Sequence, residues 1–150
     1  MTPFELKASL GPGQCLLGID LGSNTIGMAL SDATRIIASP LHTLKRGKFR
    51  DDSAKLVALI EERGIGGIVL GLPVGMDGTE GPRCQATRQF AANLLAVIDI
   101  PIAFWDERLS TAAVERVLIK EADMTRKRRA QVVDKMAAAY ILQGALDAIG

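Results

Sequence analysis

The chain has a single histidine, His42, and only two cysteines, Cys15 and Cys84. Cys15 falls in an apolar strand pattern and Cys84 in a polar turn, with no neighbour at metal-ligand spacing. A zinc-type site and a disulfide framework are both disfavoured, and both thiols read as free in a reducing compartment. His42 closes the third apolar run, a strand-end or surface position that gives little support to a histidine general base. Charge of one sign is not in excess: 18 basic residues face 17 acidic ones, for a net +1. The long-range field therefore does not announce a polyanionic partner, and any such contact must come from local clusters. No apolar stretch reaches the roughly 18 residues of a membrane helix. The first fourteen residues include Glu5 and Lys7 and lack the apolar core of a secretory signal, so a cytoplasmic location is expected.

What is present describes an ordinary globular chain. A hydrophobic fraction of 48% with 23% charged residues over 150 positions suits one domain with a two- or three-layer core. Residues 15–150 are expected to form it, with residues 1–14, which include Gly11-Pro12-Gly13, as a flexible arm. Cys15 to Asp20, Thr25 to Ser31 and Ile36 to His42 read as three strands joined by turns too short for a crossover helix, hence an antiparallel meander. Helical spacing follows from Phe49 to Arg63, stopped by Gly64. A strand at Gly67–Gly71, a helix at Gln85–Val97, a strand at Ile102–Trp105, a helix from Ser110 to about Lys120 and a last helix from about Arg129 to Ile149 complete the order βββαβαβαα. The expected α/β fold is a five-stranded mixed sheet, antiparallel in front and parallel behind, flanked by helices.

The most informative segment is Leu17-Gly18-Ile19-Asp20-Leu21-Gly22, where an apolar strand delivers a carboxylate into a glycine-bearing turn. Ligands bind beyond the carboxyl ends of parallel strands. Asp20, Gly71-Leu72-Pro73 and Asp106-Glu107 all end strands there. Asp134 shares a helical face with Ala138, Ile141 and Ala145, at the edge of an apolar stripe where a lone charge is costly. Each acid taken singly reads equally as an ion pair or a turn cap. Three together point to a hard divalent cation, because gathered carboxylates repel one another unless one compensates them.

Four blocks in register carry a resemblance: Gly18-Ile19-Asp20-Leu21-Gly22 with Gly27 and Ala29; Gly71-Leu72-Pro73 through Met76-Asp77-Gly78-Thr79-Glu80-Gly81; Asp106-Glu107-Arg108-Leu109-Ser110-Thr111; and Asp134 with Ala137 and Ala138. The chain resembles the YqgF (RuvX) family, related to Holliday-junction resolvases, over about Cys15 to Leu146. The resemblance implies an RNase H-like fold and a nuclease whose metal-binding, catalytic acids are Asp20, Glu107 and Asp134, holding two Mg²⁺ or Mn²⁺ ions. It implies the 5′ end of pre-16S rRNA as substrate, with a ribosome or pre-ribosomal particle as partner; four-way DNA is the alternative. The family often has a basic residue in the turn after the first acid, where this chain has Ser23-Asn24-Thr25.

Substrate grip is expected from Lys45 and Arg46, with Lys48 and Arg50, and from Arg126, Lys127, Arg128 and Arg129, with Arg108 beside the acids. Phosphate contacts of this kind position a backbone without reading sequence. A solvated basic loop is the competing reading. Gly22, Gly71, Pro73, Thr79, Ser110 and Thr111 are the expected loop residues near the site, with Glu80 a further contact, Asp106 an orienting partner, and Trp105 a core residue or a stacking platform. Two other classes stay open: a nucleic-acid-binding module without catalysis, and an actin-like ATPase type of phosphate binder suggested by Ile19–Thr25. Monomer and homodimer are both compatible.

Overall fold

The computed structural model describes residues 1–75, 77–109 and 126–150, and for residues 126–134 the backbone alone. Its elements are α1 (Pro3–Ser9), β1 (Cys15–Leu21), β2 (Thr25–Ser31), β3 (Ala38–Lys45), α2 (Phe49–Arg63), β4 (Ile65–Leu72), α3 (Pro82–Leu95), β5 (Ile102–Asp106), a 3₁₀ turn (Glu107–Leu109) and α4 (Arg126–Ile149). The strands lie in the order β3-β2-β1-β4-β5. β1 pairs antiparallel with β2 and parallel with β4, and β4 pairs parallel with β5. This is the mixed sheet expected from the spacing of the apolar runs. The expected helix from Ser110 to Lys120 lies outside the described residues.

Alternation along the strands divides the core. Leu17, Ile19, Met28, Ile68 and Leu70 face α2 and α3, where Leu56, Ile60, Phe90 and Leu94 meet them. Leu16, Ala29, Val69, Ala103 and Trp105 face α4, against Ala138, Ile141, Leu142 and Ala145. Asp20, two residues beyond Gly18 on β1, belongs to the α4 side. A Cβ at Gly18 would lie 2.7 Å from Leu142 Cβ and 3.0 Å from the Ala138 carbonyl oxygen, so glycine there lets α4 rest directly on β1. Gly64 ends α2 in the left-handed region, at φ 63°, as its position after the helical run implies.

Two expectations are corrected. Residues 3–9 of the expected loose arm form a helix, started by a reciprocal cap in which Thr2 Oγ1 accepts from the Glu5 amide and Glu5 accepts from the Thr2 amide. Leu6 is fully buried in the α4-side core and Lys7 Nζ donates to the Ile149 carbonyl at 2.5 Å, so one apolar anchor and one long-range bond dock the segment. The third strand starts at Ala38 and runs to Lys45, three residues past His42. The Asp32 carboxylate accepts from the Ile36 and Ile37 amides at 2.8 and 3.1 Å and Arg35 takes φ 58°, which holds both isoleucines in the turn. The same bonds, with that from the Thr34 hydroxyl the largest cause, pull the Asp32 carboxyl down to about 2.

Candidate active site

Asp20 is the penultimate residue of β1 and is 5% exposed. The parallel register sets Ile19 beside Leu70, and Gly71 beside Trp105, so Asp20, Gly71 and Trp105 lie in one row across three strands. A Cβ at Gly71 would lie 2.5 Å from Ile141 Cδ1 and 3.4 Å from Glu107 Cγ. The Glu107 stem therefore folds back over bare β4 backbone, on the α4 side of the sheet. Adjacent strands run about 5 Å apart, so the two acids stand at the same end of the sheet on strands separated by β4 alone.

The direction of α4 locates the backbone of the third acid. Gln143 bonds the Ala38 amide and the Ile36 carbonyl, and Ile149 receives Lys7, all at the end of the sheet where β1 begins. The N-terminal half of α4 thus runs toward the end of β1 that carries Asp20. Position 134 is one turn before Ala138, about 6 Å along the axis. The Asp134 side chain lies outside the described residues. Among the described residues no three His, Cys, Asp or Glu side chains form a group able to hold a metal. Carboxylates alone make up the donor set of Asp20 and Glu107, which suits a hard cation such as Mg²⁺ or Mn²⁺.

The neighbouring charges are committed. Asp106 accepts from the Arg108 amide at 2.9 Å and from Arg108 Nη2 at 2.7 Å, a clamp that spans the turn carrying Glu107. The Arg108 hydrogen bond holds the Asp106 carboxyl below its ordinary range. Arg108, expected as a phosphate contact, is thus paired, with its side chain 34% exposed. Glu80 forms a two-bond pair with Arg88, which stacks over Phe104, so its carboxylate is engaged away from a substrate contact. Thr79 donates its hydroxyl to Asp77 at 2.7 Å within the turn at Gly78. Pro73 directly follows β4, where the Val74 amide donates to the Leu72 carbonyl. Gly22 donates its amide to the Thr25 carbonyl and closes the turn after Asp20.

His42 pairs with Met28, whose side chain faces α2, and so sits on the opposite side of the sheet from Asp20. Trp105 is 9% exposed and packs on Gly144 of α4, which makes it a core residue and not a stacking platform. Cys84 is buried, and burial pushes its thiol up. Lys45 is exposed at the end of β3, whereas Arg46 reaches the turn after Asp20 and donates to the Gly22 carbonyl at 2.7 Å. Nothing local signals that contact, because the β2–β3 hairpin brings together residues 24 apart. Ser110 and Thr111 lie outside the described residues, as do the side chains of Arg126, Lys127, Arg128 and Arg129.

The fold is that of the RuvC-like, RNase H-type resolvases. Thermus thermophilus RuvC, solved in complex with a Holliday junction substrate, superposes with a TM-score of 0.55 at 13% identity, covering 90% of this chain and 94% of that one. The fowlpox virus Holliday junction resolvase gives 0.50 at 12% identity, covering 90% and 99%. Within that class, the RuvX family model, described as Holliday junction resolvase, matches residues 14–148, and the chain belongs to this family. A relative in Paramagnetospirillum magneticum is 64% identical, covering 98% of this chain and 94% of the relative, and one in Rhodospirillum rubrum is 63% identical, covering 94% and 88%. Both carry the provisional name pre-16S rRNA nuclease.

Proposed function

We propose that this chain is a metal-dependent nuclease that hydrolyses phosphodiester bonds at the 5′ end of pre-16S rRNA, acting in the cytoplasm on a pre-ribosomal particle. The observation that carries the reading is the Glu107 stem lying over Gly71, one strand from the buried Asp20. The names of the two bacterial relatives support the choice of RNA. Among the described residues no helix is long and apolar enough to cross a membrane.

Asp20, Glu107 and Asp134 are the residues that would hold the divalent ions. When bound, Mg²⁺ or Mn²⁺ supplies the Lewis acidity that activates water and stabilises the leaving oxygen of an in-line displacement. The chain's own part is placement. The Asp106–Arg108 clamp fixes the turn from which Glu107 projects. Gly71 leaves room for its stem. Lys45, Arg46 and Arg108, with Arg126 to Arg129 at the start of α4, position the phosphate backbone, and Pro73 and Thr79 border the same end of the sheet.

The test is cleavage of 5′-extended 16S rRNA, unstructured RNA and four-way DNA with Mn²⁺ or Mg²⁺, native chain against Asp20→Asn. Cutting of the rRNA precursor that vanishes in the variant and on chelation is expected. Cutting confined to four-way DNA, the reading favoured by the family's description, replaces the substrate but keeps the site. Activity retained in Asp20→Asn overturns the three-acid site.

A further inference from the structure

The basic stretch between β3 and α2 is not uniformly loose. The Arg46 guanidinium donates to the Gly22 carbonyl at 2.7 Å and its amide donates to the Asn24 carbonyl at 2.9 Å, so it is fixed at both ends to the turn that follows Asp20. The next residue is fixed from below. Asp52, in the first turns of α2 and 4% exposed, accepts from the Gly47 amide with both carboxylate oxygens, at 3.2 and 3.1 Å. A buried acid in a basic segment would otherwise weaken polyanion binding, and burial without a bonding role is costly. By contrast, the cationic groups of Lys45, Lys48 and Arg50 form no hydrogen bond or ion pair among the described residues.

We propose that Arg46 is a preorganised phosphate contact of the active site: the Gly22 carbonyl and the Asp52-anchored loop hold its guanidinium beside the turn after Asp20, where it binds the phosphodiester presented to the acids. The inference deepens the nuclease reading and rests on it. A guanidinium has five N–H donors, so a bond to one carbonyl leaves others for phosphate oxygens. A cation held in place loses less freedom on binding than a mobile lysine does.

The experiment measures binding of a fluorescent single-stranded RNA and of a four-way DNA junction by anisotropy in EDTA over a salt series, with thermal unfolding run beside it. Arg46→Ala is expected to weaken binding about tenfold, and to reduce the salt slope on single-stranded RNA by about 0.7. Arg50→Ala, the unanchored comparison, is expected to lose clearly less. Asp52→Ala separates anchoring from charge. Removing an acid strengthens binding if net charge alone acts, whereas loss of the anchor weakens it, and Asp52→Asn, whose amide oxygen still accepts from Gly47, restores it. Equal losses in Arg46→Ala and Arg50→Ala, or tighter binding by Asp52→Ala, overturn the proposal. If Asp52→Ala does not fold, the two arginine variants decide. An unchanged Arg46→Ala in a chain that still cuts RNA removes this inference alone, and a native chain that binds neither probe removes it together with the nuclease reading.

Discussion

The two faces of the sheet are built from different residues. Toward α2 and α3 the strands present Leu17, Ile19, Ile26, Ile68 and Leu70, each at most 1% exposed, and the helices answer with Leu56, Ile60, Phe90 and Leu94. Toward α4 they set Gly18, Ala29, Gly71 and Ala103 among Leu16, Val69 and Trp105, and the helix answers with Ala138, Ala139 and Ala145 among Ile141, Leu142 and Leu146. Burying a large aliphatic side chain contributes about 1.5–3 kcal/mol, and an alanine far less. Both faces bury large aliphatic side chains, and the second differs in the small residues set between them. The second trades side-chain volume for close approach, which brings Ile141 and the Glu107 stem onto bare β4 backbone beside Asp20. The proposed site thereby lies on the side where backbone and helix approach most closely.

Filling the thin face is expected to have the largest effect. Valine at position 71 places its Cβ 2.5 Å from Ile141 Cδ1, which must give way, and adds two methyls beside the Glu107 stem, whose Cγ lies 3.4 Å from that Cβ. Gly71→Val should cost about 1–3 kcal/mol from overpacking, and should abolish detectable metal-dependent cleavage by displacing Glu107. Mn²⁺ titration followed through the fluorescence of Trp105, the single tryptophan, reads the site without any substrate. Emptying the α2–α3 face is expected to act on stability alone. Leu56→Ala should cost about 2–5 kcal/mol, while cleavage per folded molecule, assayed well below the transition, stays at the native level. If Leu56→Ala loses cleavage while folded, or Gly71→Val keeps it, the division between the faces fails.

That division was partly legible in the residues. The alternation that puts Asp20 on the face away from Leu17 and Ile19 is a period-two pattern, and α2 from Phe49 to Arg63 follows from helical spacing and a glycine stop. The placement of Asp20 and Glu107 at one end of the sheet follows from β1 and β5 running in the same direction. Three features escaped for physical reasons. α1 is seven residues long and docks through Leu6, too little apolar periodicity to register. The start of β3 is set by the Asp32 side chain, which competes with the ladder for two amides. The Arg46–Gly22 bond joins residues 24 apart and depends on the hairpin being folded.

A smaller effect tests how the turn bearing Glu107 is held. The Asp106 carboxyl titrates below its ordinary value of 3.8 when folded, mainly through the Arg108 side chain and also through the Arg108 amide. A depressed folded value means that the clamp contributes fully above the ordinary carboxylate range and loses its contribution as pH falls through the folded value. Native and Arg108→Ala unfolding curves in urea should therefore differ slightly at neutral pH and converge in acid. The difference is small because a partly exposed pair is screened by solvent. A gap that persists in acid assigns the effect to packing by the Arg108 stem and removes the clamp from the account.

The smallest change is expected at Trp105, and it divides the α4 face from the chemistry beside it. Its indole Nε1–H is buried with no hydrogen-bond partner among the described residues, and the ring lies against the Gly144 backbone. A buried donor left unpaired costs about 1–3 kcal/mol. Replacement by phenylalanine removes that cost and also removes packing volume, whose loss destabilises by a similar amount. The two terms oppose, so Trp105→Phe should unfold within about 1 kcal/mol of the native chain and keep its cleavage rate. A tryptophan that stacked on a base would show the reverse: unchanged unfolding with a raised KM. Loss of stability comparable to a truncation, about 3–5 kcal/mol, would instead mean that the indole nitrogen is bonded in solution, and that this face is less dry than its alanines and glycines imply.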